Sequence, residues 1–539
     1  MAPKKRRMDP GNTSQCYFSA VTLRSTMNKA TKRLLPVQGW VAASALLLAV
    51  AALSKGFGFF REVLIANYFG ASGVVDAFSI AYAIPLLAAG GIGFAFSMAL
   101  IAKYHQVLIA SGKDAATSFL VSMHACCLMI SIIVMMPLWI MPNEIVRLVA
   151  PGLPPGGAQL AGELLRWLCV YVLSLNVVNL LAATFHVWNH FKVPALGEIG
   201  FNAVTIIVLV CWATGLGIHA LVLGNLLGNV LCIGLLLGVL VKHRTGIGIR
   251  HVRQLNLWTP ICLVLPIWGY AICGHLVGII ANYFASGLRE GSVAAFGYAK
   301  TISAAMVTLV TLNLARGVFP TFAALSSAEQ SEEGRALLLA LSKVIILFFV
   351  PVSVLLAVFR REVLGAFYLR GAFSVADLDT TSTVFLYFAI TLVVAALEPI
   401  FVRTCFTFAD AKTPLLATLA GSCVMVPLMA VLTPLMGIAG IGLSAALGLL
   451  IDVTIQVLVL DRRFQGLFAG ELAQCLLRSS VCAASLLPLL FLWPAENTTQ
   501  ACVSMLVYLG CYAALARYVS RDGVGALSVI WRRGVASIS

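Results

Sequence analysis

Charge is scarce in this chain. Only 11% of its 539 residues are Asp, Glu, Lys or Arg, and 60% are hydrophobic. A soluble domain carries about a quarter charged residues, so a water-soluble globule is excluded. Acids are the scarcer sign, 21 against 36 Lys and Arg, a formal net charge of +15. In a soluble protein that balance would suggest nucleic acid. In so apolar a chain it is the excess of Lys and Arg that cytoplasmic loops collect, and no nucleic-acid partner is expected. The motifs of common enzymes are missing too. There is no P-loop, no HExxH zinc motif and no GxSxG joined to a credible triad, so no reaction chemistry and no cofactor are expected. The 14 cysteines include no C-x-x-C pair and lie almost wholly within apolar segments, which reads as small buried hydrophobes rather than metal ligands or disulfides.

Long runs of Leu, Val, Ile and Ala remain. They lack the alternation of barrel strands and suit helices, whose backbone satisfies itself within lipid. At about 20 residues per span the sequence divides into fourteen segments: 38–68, 74–102, 117–141, 158–185, 194–214, 218–241, 257–284, 292–324, 336–359, 379–408, 414–435, 438–460, 473–493 and 500–518. The fold class is therefore an all-α polytopic membrane protein. Residues 1–36 form a basic tail with eight Lys or Arg. Its PKKRR run is read as the flank of a first membrane helix rather than a nuclear signal, with Met1 and Met27 both open as the start. Placing that tail inside puts most basic residues inside: Lys103, Lys113, Lys192, the loop with Lys242, Arg244, Arg250 and Arg253, then Arg403, Lys412, Arg462, Arg463 and the C-terminal arginines. Both termini are thus expected in the cytoplasm.

The chain repeats itself. IANYF occurs at 65–69 and 280–284, Ala-Phe at 77–78 and 295–296, Lys-x-Pro at Lys192–Pro194 and Lys412–Pro414, and Gly-Ile at 217–218 and 437–438. The last two pairs are each 220 apart. Two six-helix lobes, 37–245 and 246–465, are expected, followed by two further helices and a cytoplasmic tail in 466–539. An even number of helices per copy makes the repeat parallel, with a pseudo-two-fold axis along the membrane normal, as in some transporters. The space between lobes is the expected place for cargo.

A charge at the bilayer centre costs about 3 kcal/mol on insertion scales and normally faces a partner or a wet cavity. The first helix nevertheless holds Lys55, Arg61 and Glu62, and Asp76 follows the short turn FGASG. Lys55 and Glu62 share a face two turns apart, with Arg61 about 100° round from Glu62. A cavity wall that holds an anion accounts for them, since the fork of Arg suits phosphate; ion pairing and snorkelling are the alternatives. Lys300 and Arg316 are further candidates in the second half. Glu163 and Arg166 read as a mutually neutralising pair, Glu198 and Glu398 as single acids, and His124, His219 and His275 as isolated histidines. Gly90–Gly91, Pro194, Pro399 and Pro414 are expected bending points.

The stretch SKGFGFFREVLIANYFGASGVVDAFSIAYAIP at 54–85 resembles the MurJ (MviN) family of lipid II flippases, which reads approximately S-R-x-x-G-x-x-R-[DE]-x-x-[IV]-A-x-x-F-G-A-G and then D-A-F and a Pro. The likeness continues in WNHFKVPALGEIGFN, ASGLREGSVAAFGYAK, LRGAFSVADLDTTS and VRTCFTFADAKTPLLA, and covers roughly 40–460. It implies membership of the MOP exporter superfamily, fourteen helices, alternating access between lobes, and a polyprenyl-diphosphate-linked saccharide carried to the outer leaflet of the bacterial inner membrane. The family's basic pair falls on Lys55 and Arg61, its acid on Glu62, and its D-A-F aspartate on Asp76. A gating and structural role is implied for Lys192, Pro194, Arg403, Asp410, Lys412 and Pro414. Membrane lipids and glycan synthases or polymerases are the implied partners, and the chain is expected to be a monomer.

Two departures stand out. The family's N-L-L-R-R-L-F-A-E-G after the second-helix proline is LLAAGGIGFAFS here, and its Y-A-D-R is Tyr298-Ala299-Lys300-Thr301. With those arginines gone, the expected cargo is another lipid-linked glycan, such as an exopolysaccharide unit, with Lys300 and Arg316 as replacement charge. Lipid II proper is the alternative, followed by a MATE-like drug antiporter and a non-transporting scaffold. Membrane potential is worth about 2.3 kcal/mol per charge per 100 mV and could drive an anion outward; the sequence does not choose between H+ and Na+ as a coupling ion.

Overall fold

The structure is a computed structural model. It describes residues 37–188, 190–242, 258–312, 314, 331–408, 410, 412–466, 468–492 and 498–519. Arg316, the basic tail 1–36 and the loop arginines 244, 250 and 253 lie outside these residues. Among the described residues there is no β-strand. The helices are α1 Val37–Phe69, α2 Gly73–Ile140, α3 Pro142–Val149, α4 Pro155–Val187, α5 Lys192–Leu216, α6 His219–Lys242, α7 Trp258–Ser286, α8 Ser292–Val307, α9 Ser331–Val358, α10 Arg360–Tyr368, α11 Val375–Ile390, α12 Leu392–Thr407, α13 Lys412–Met436, α14 Ile438–Arg463, α15 Phe468–Ser485, α16 Leu487–Leu492 and α17 Thr498–Val519. A π-helical turn, Thr308–Leu312, follows α8.

Among the described residues ten helices are long and apolar enough to cross a membrane, or up to twelve if each of two bent pairs is one span, against the fourteen expected over the whole chain. The predicted segments 74–102 and 117–141 belong to the single 68-residue helix α2, which breaks only at Gly112 (φ 81°, ψ 179°). The predicted segment 379–408 is two helices, α11 and α12, meeting at 53°. The start of α11 is fixed by a capping box: Ser374 Oγ accepts from Asp377 N at 3.2 Å, and Ser374 N donates to Asp377 Oδ2 at 2.9 Å. Gly90 and Gly91 are not a bend. A Cβ on Gly90 would lie 2.5 Å from His275 Nε2 and one on Gly91 3.1 Å from Trp268 Nε1, so their bareness lets α7 seat against α2.

The sequence repeat returns as repeated geometry. Trp188 N donates to Thr184 O at 3.2 Å and Phe408 N to Thr404 O at 3.2 Å; His190 N donates to Phe185 O at 2.8 Å and Asp410 N to Cys405 O at 2.9 Å. The helices that follow end on Gly217 (φ 56°, ψ −137°) and Gly437 (φ 60°, ψ −136°). These are left-handed conformations that glycine adopts without strain, and all these pairs share the 220-residue offset.

The α1–α2 turn locks against the second half of the chain. Buried Asp76 accepts from Gly291 N and Ala294 N, both at 2.7 Å, and so holds the start of α8. Tyr298 Oη donates to Gly70 O at 2.9 Å, and Ala372 N to Asn67 O at 2.8 Å. Three glycines with positive φ permit this approach. Cβ atoms on Gly70, Gly291 and Gly371 would lie 2.5, 2.0 and 2.2 Å from the carbonyl oxygens of Ala372, Ala71 and Asn67. Gly291→Ala is therefore expected to lose at least about 2 kcal/mol, seen as a fall in melting temperature. Gly274→Ala, whose new Cβ meets nothing within 4 Å, should melt like the wild type.

Candidate functional site

Two cavities share one wall. The smaller, about 310 Å³, lies among α1, α2, α7 and α8 and is lined by Arg61, Glu62, Tyr82, His275, Lys300 and Thr301 among others. The larger, about 960 Å³, lies within the first half of the chain and is lined by Lys55, Asn179, His186, Glu198 and Asn202, and again by Arg61 and Tyr82. Arg61 thus borders both.

Arg61 Nη2 donates to Glu62 Oε1 at 2.8 Å, and the two side chains are only 18% and 22% exposed. Its Nε is buried without a partner. A guanidinium has five donors in a fixed fork, so one neighbouring carboxylate leaves most of them for an anion. Beside it Tyr82 Oη and Tyr171 Oη hydrogen-bond at 3.0 Å. In the larger cavity Lys55 Nζ meets Glu198 Oε1 at 2.7 Å, with the side chains 47% and 48% exposed. A pair that wet is worth about 0–1 kcal/mol, so an incoming anion displaces Glu198 at little cost. Lys300 is exposed although its neighbours on α8 from Ser292 to Ala299 are, Gly297 apart, buried; its exposure is to the smaller cavity it lines. His275 lies within electrostatic reach of it.

The structure therefore brings together Lys55, Arg61, Glu62 and Lys300 of the sequence candidates. Asp76 lines neither cavity and holds the α8 terminus instead. Arg316 falls outside the described residues. Lys192 is exposed at the start of α5, where Pro194 lines the larger cavity. Arg403 is half-buried on α12; Lys412 is exposed and Pro414 buried in the first turn of α13. Asp410 caps that helix, accepting from Thr413 N at 3.0 Å and Thr413 Oγ1 at 2.7 Å. Slight burial works to raise its pKa, but the hydrogen bonds from Thr413 prevail and hold the carboxyl below the usual carboxylate value. Three assignments change. Glu163 faces His219 at 3.3 Å rather than Arg166, Glu198 is the counter-ion of Lys55, and His275 is a cavity residue. The Lys55–Glu198 and Glu163–His219 pairings have no sequence signal, because each joins helices that are not consecutive in the chain. Among the described residues no cluster of three or more His, Cys, Asp or Glu could hold a metal ion.

Comparison with known proteins fits this geometry. The family model described as lipid II flippase MurJ matches residues 65–511. A probable lipid II flippase MurJ of Borreliella burgdorferi is 22% identical over 90% of this chain and 99% of that protein. The lipid II flippase MurJ of Burkholderia cenocepacia is 26% identical over 76% of this chain and 82% of its own. Among solved structures, a lipid II flippase MurJ in an inward closed conformation superposes with a TM-score of 0.76 at 20% identity, covering 89% of this chain and all (100%) of that one. An inward-facing MATE multidrug transporter of the MOP superfamily gives 0.63 at 16% identity, over 76% and 94%. The expected displacement of lipid II by another glycan is not favoured by these relatives, which carry the lipid II name. In the structure Gly90 and Gly91, in the stretch where the family has charges, pack against α7, while Lys55, Arg61 and Lys300 line the cavities. A multi-pass membrane transporter and not an enzyme, this chain belongs to the MurJ lipid II flippase family.

Proposed function

We propose that the chain moves a polyprenyl-diphosphate-linked saccharide, lipid II, from the cytoplasmic to the periplasmic leaflet of the inner membrane by alternating access. The observation that carries this reading is that Arg61, with spare donors, borders both cavities. A diphosphate held there passes from one wet space to the other without leaving its cation. Lys55 is its first partner, exchanged for Glu198, and Lys300 its partner in the smaller cavity. The sugar stays in water while the polyprenyl tail stays in lipid, so the headgroup avoids about 30 Å of hydrocarbon.

The two lobes, 37–245 and 246–465, rock against each other about the junction that Asp76 holds, with 466–539 attached to the second. Both termini face the cytoplasm in this reading, consistent with the distribution of Lys and Arg. The chain works as a monomer beside the synthases that consume its cargo. A MATE-like export of cationic drugs is disfavoured by the basic cavity groups Lys55, Arg61 and Lys300.

Reconstitution into vesicles with labelled lipid II tests the proposal. The headgroup is expected to become accessible to a membrane-impermeant enzyme from the opposite side. Movement of an exopolysaccharide lipid diphosphate but not of lipid II would replace the cargo, and movement of neither would leave a scaffold. In the same assay Lys300→Met should slow transport about tenfold, the loss of one charge-assisted hydrogen bond, and Lys300→Arg should restore it.

A further inference from the structure

The repeat divides the smaller cavity between the two halves of the chain. The Ala-Phe copies, 77–78 on α2 and 295–296 on α8, stand 218 residues apart. At that spacing Val75 matches Val293, Phe78 matches Phe296 and Tyr82 matches Lys300, and all six line the smaller cavity. The two helices therefore present equivalent positions to one space, as copies related by a pseudo-two-fold axis do. Where the second half places a cation, Lys300, the first half places a phenol, Tyr82. Tyr82 also lines the larger cavity, as Arg61 does. Its ring is stacked on Phe78, with centroids 5.7 Å apart and 14° between the planes, and tilted against Tyr171 at 5.3 Å and 49°. Its hydroxyl is 3.0 Å from that of buried Tyr171, and neither hydroxyl makes another hydrogen bond among the described residues. Each phenol has one hydrogen to donate and lone pairs to accept another. One bond between two hydroxyls uses one hydrogen and leaves the second over. Arg61, whose Nε is buried without a partner, lies within electrostatic reach of both phenols.

We propose that Tyr82 is a further ligand of the diphosphate, donating its O–H to a phosphate oxygen beside Arg61, and that Tyr171 is a positioning residue that donates to Tyr82 in turn. The inference rests on the transport reading above and adds a residue to the same site. The chain from Tyr171 to Tyr82 to phosphate forms without moving either ring. The hydroxyl hydrogens turn about their C–O bonds, and the 3.0 Å contact stays. Each bond in such a chain polarises the next. A neutral donor suits this place. Cargo must be held well enough to enter and loosely enough to leave, and a phenol adds a directed hydrogen bond without a further fixed charge. Because it borders both cavities, Tyr82 keeps its hold while Lys55 gives way to Lys300.

The test measures binding of inorganic pyrophosphate to the full chain in detergent, by calorimetry, beside movement of labelled lipid II in vesicles. Tyr82→Phe should bind pyrophosphate about tenfold more weakly, the loss of one hydrogen bond to a charged acceptor, and should slow lipid II movement by a similar factor. Tyr171→Phe leaves the Tyr82 donor in place and should weaken binding only about twofold. Both variants lose the same bond between hydroxyls, so their melting temperatures should fall alike. A hydroxyl pair that only joins α2 to α4 would make the two variants equal in binding as well. Equal binding by the two variants, or binding by Tyr82→Phe at the wild-type affinity, overturns the proposal. If Arg61→Ala still binds more weakly than the wild type in that case, the diphosphate reading stands without Tyr82. Wild-type binding no tighter than that of Arg61→Ala overturns both.

Discussion

Arg61→Ala is expected to slow the proposed movement of lipid II by about a hundredfold or more, while the protein still folds. The magnitude follows from the charge-assisted hydrogen bonds lost between the guanidinium and a diphosphate, together about 3 kcal/mol. Folding survives because the orphaned partner, Glu62, is 22% exposed to the cavity and can be hydrated there. Pairing the change with Glu62→Gln removes the leftover charge altogether. The double variant should recover any lost melting temperature but not transport. Arg61→Lys keeps the charge and loses the fork, and should fall between the two. The check is the rate of headgroup exposure in vesicles against melting temperature in detergent. A variant that melts normally and still transports at the wild-type rate would take Arg61 out of the mechanism.

The second large effect is expected at Asp76. Its carboxylate takes two backbone donors at 2.7 Å from the first turn of α8, where the helix dipole also favours negative charge. Two such bonds are worth about 3 kcal/mol. Asp76→Ala should therefore move the balance between the conformation described here and one open at this junction by about a hundredfold. Spin labels at the exposed positions Val74 and Leu369, on opposite sides of the junction, should report a longer distance in the variant. Transport should fall because one end of the cycle is lost, with lipid II binding retained. An unchanged distance distribution would mean that the neighbouring contacts of Tyr298 and Ala372 hold the junction alone.

Much of this was legible in the sequence, for reasons that differ by feature. The helices are visible because lipid tolerates few other backbones, and the repeat because Lys-x-Pro and Gly-Ile mark turns whose backbone is the same in both halves. The polar stretch between 102 and 117 reads as a connection between two spans, whereas the helix runs on through it and breaks only at Gly112. At the site, Lys55 and Arg61 betray themselves by being charged in an apolar helix. The role of Asp76 does not, because its partners are backbone N–H groups 215 and 218 residues away, and backbone donors have no sequence signature. Glu198 and His275 look like isolated polar residues until packing sets each beside a lysine. The missing family arginines point away from lipid II in the sequence, and that Lys300 shares a cavity with Arg61 is legible only in the structure.

The most direct measurement is aqueous thiol labelling of Lys55→Cys and Arg61→Cys, read above the wild-type background, with and without lipid II. Both positions should react with a charged, membrane-impermeant reagent, and lipid II should slow both reactions. Absence of labelling at either position, or labelling that lipid II leaves unchanged, would contradict a wet, diphosphate-holding passage at Arg61.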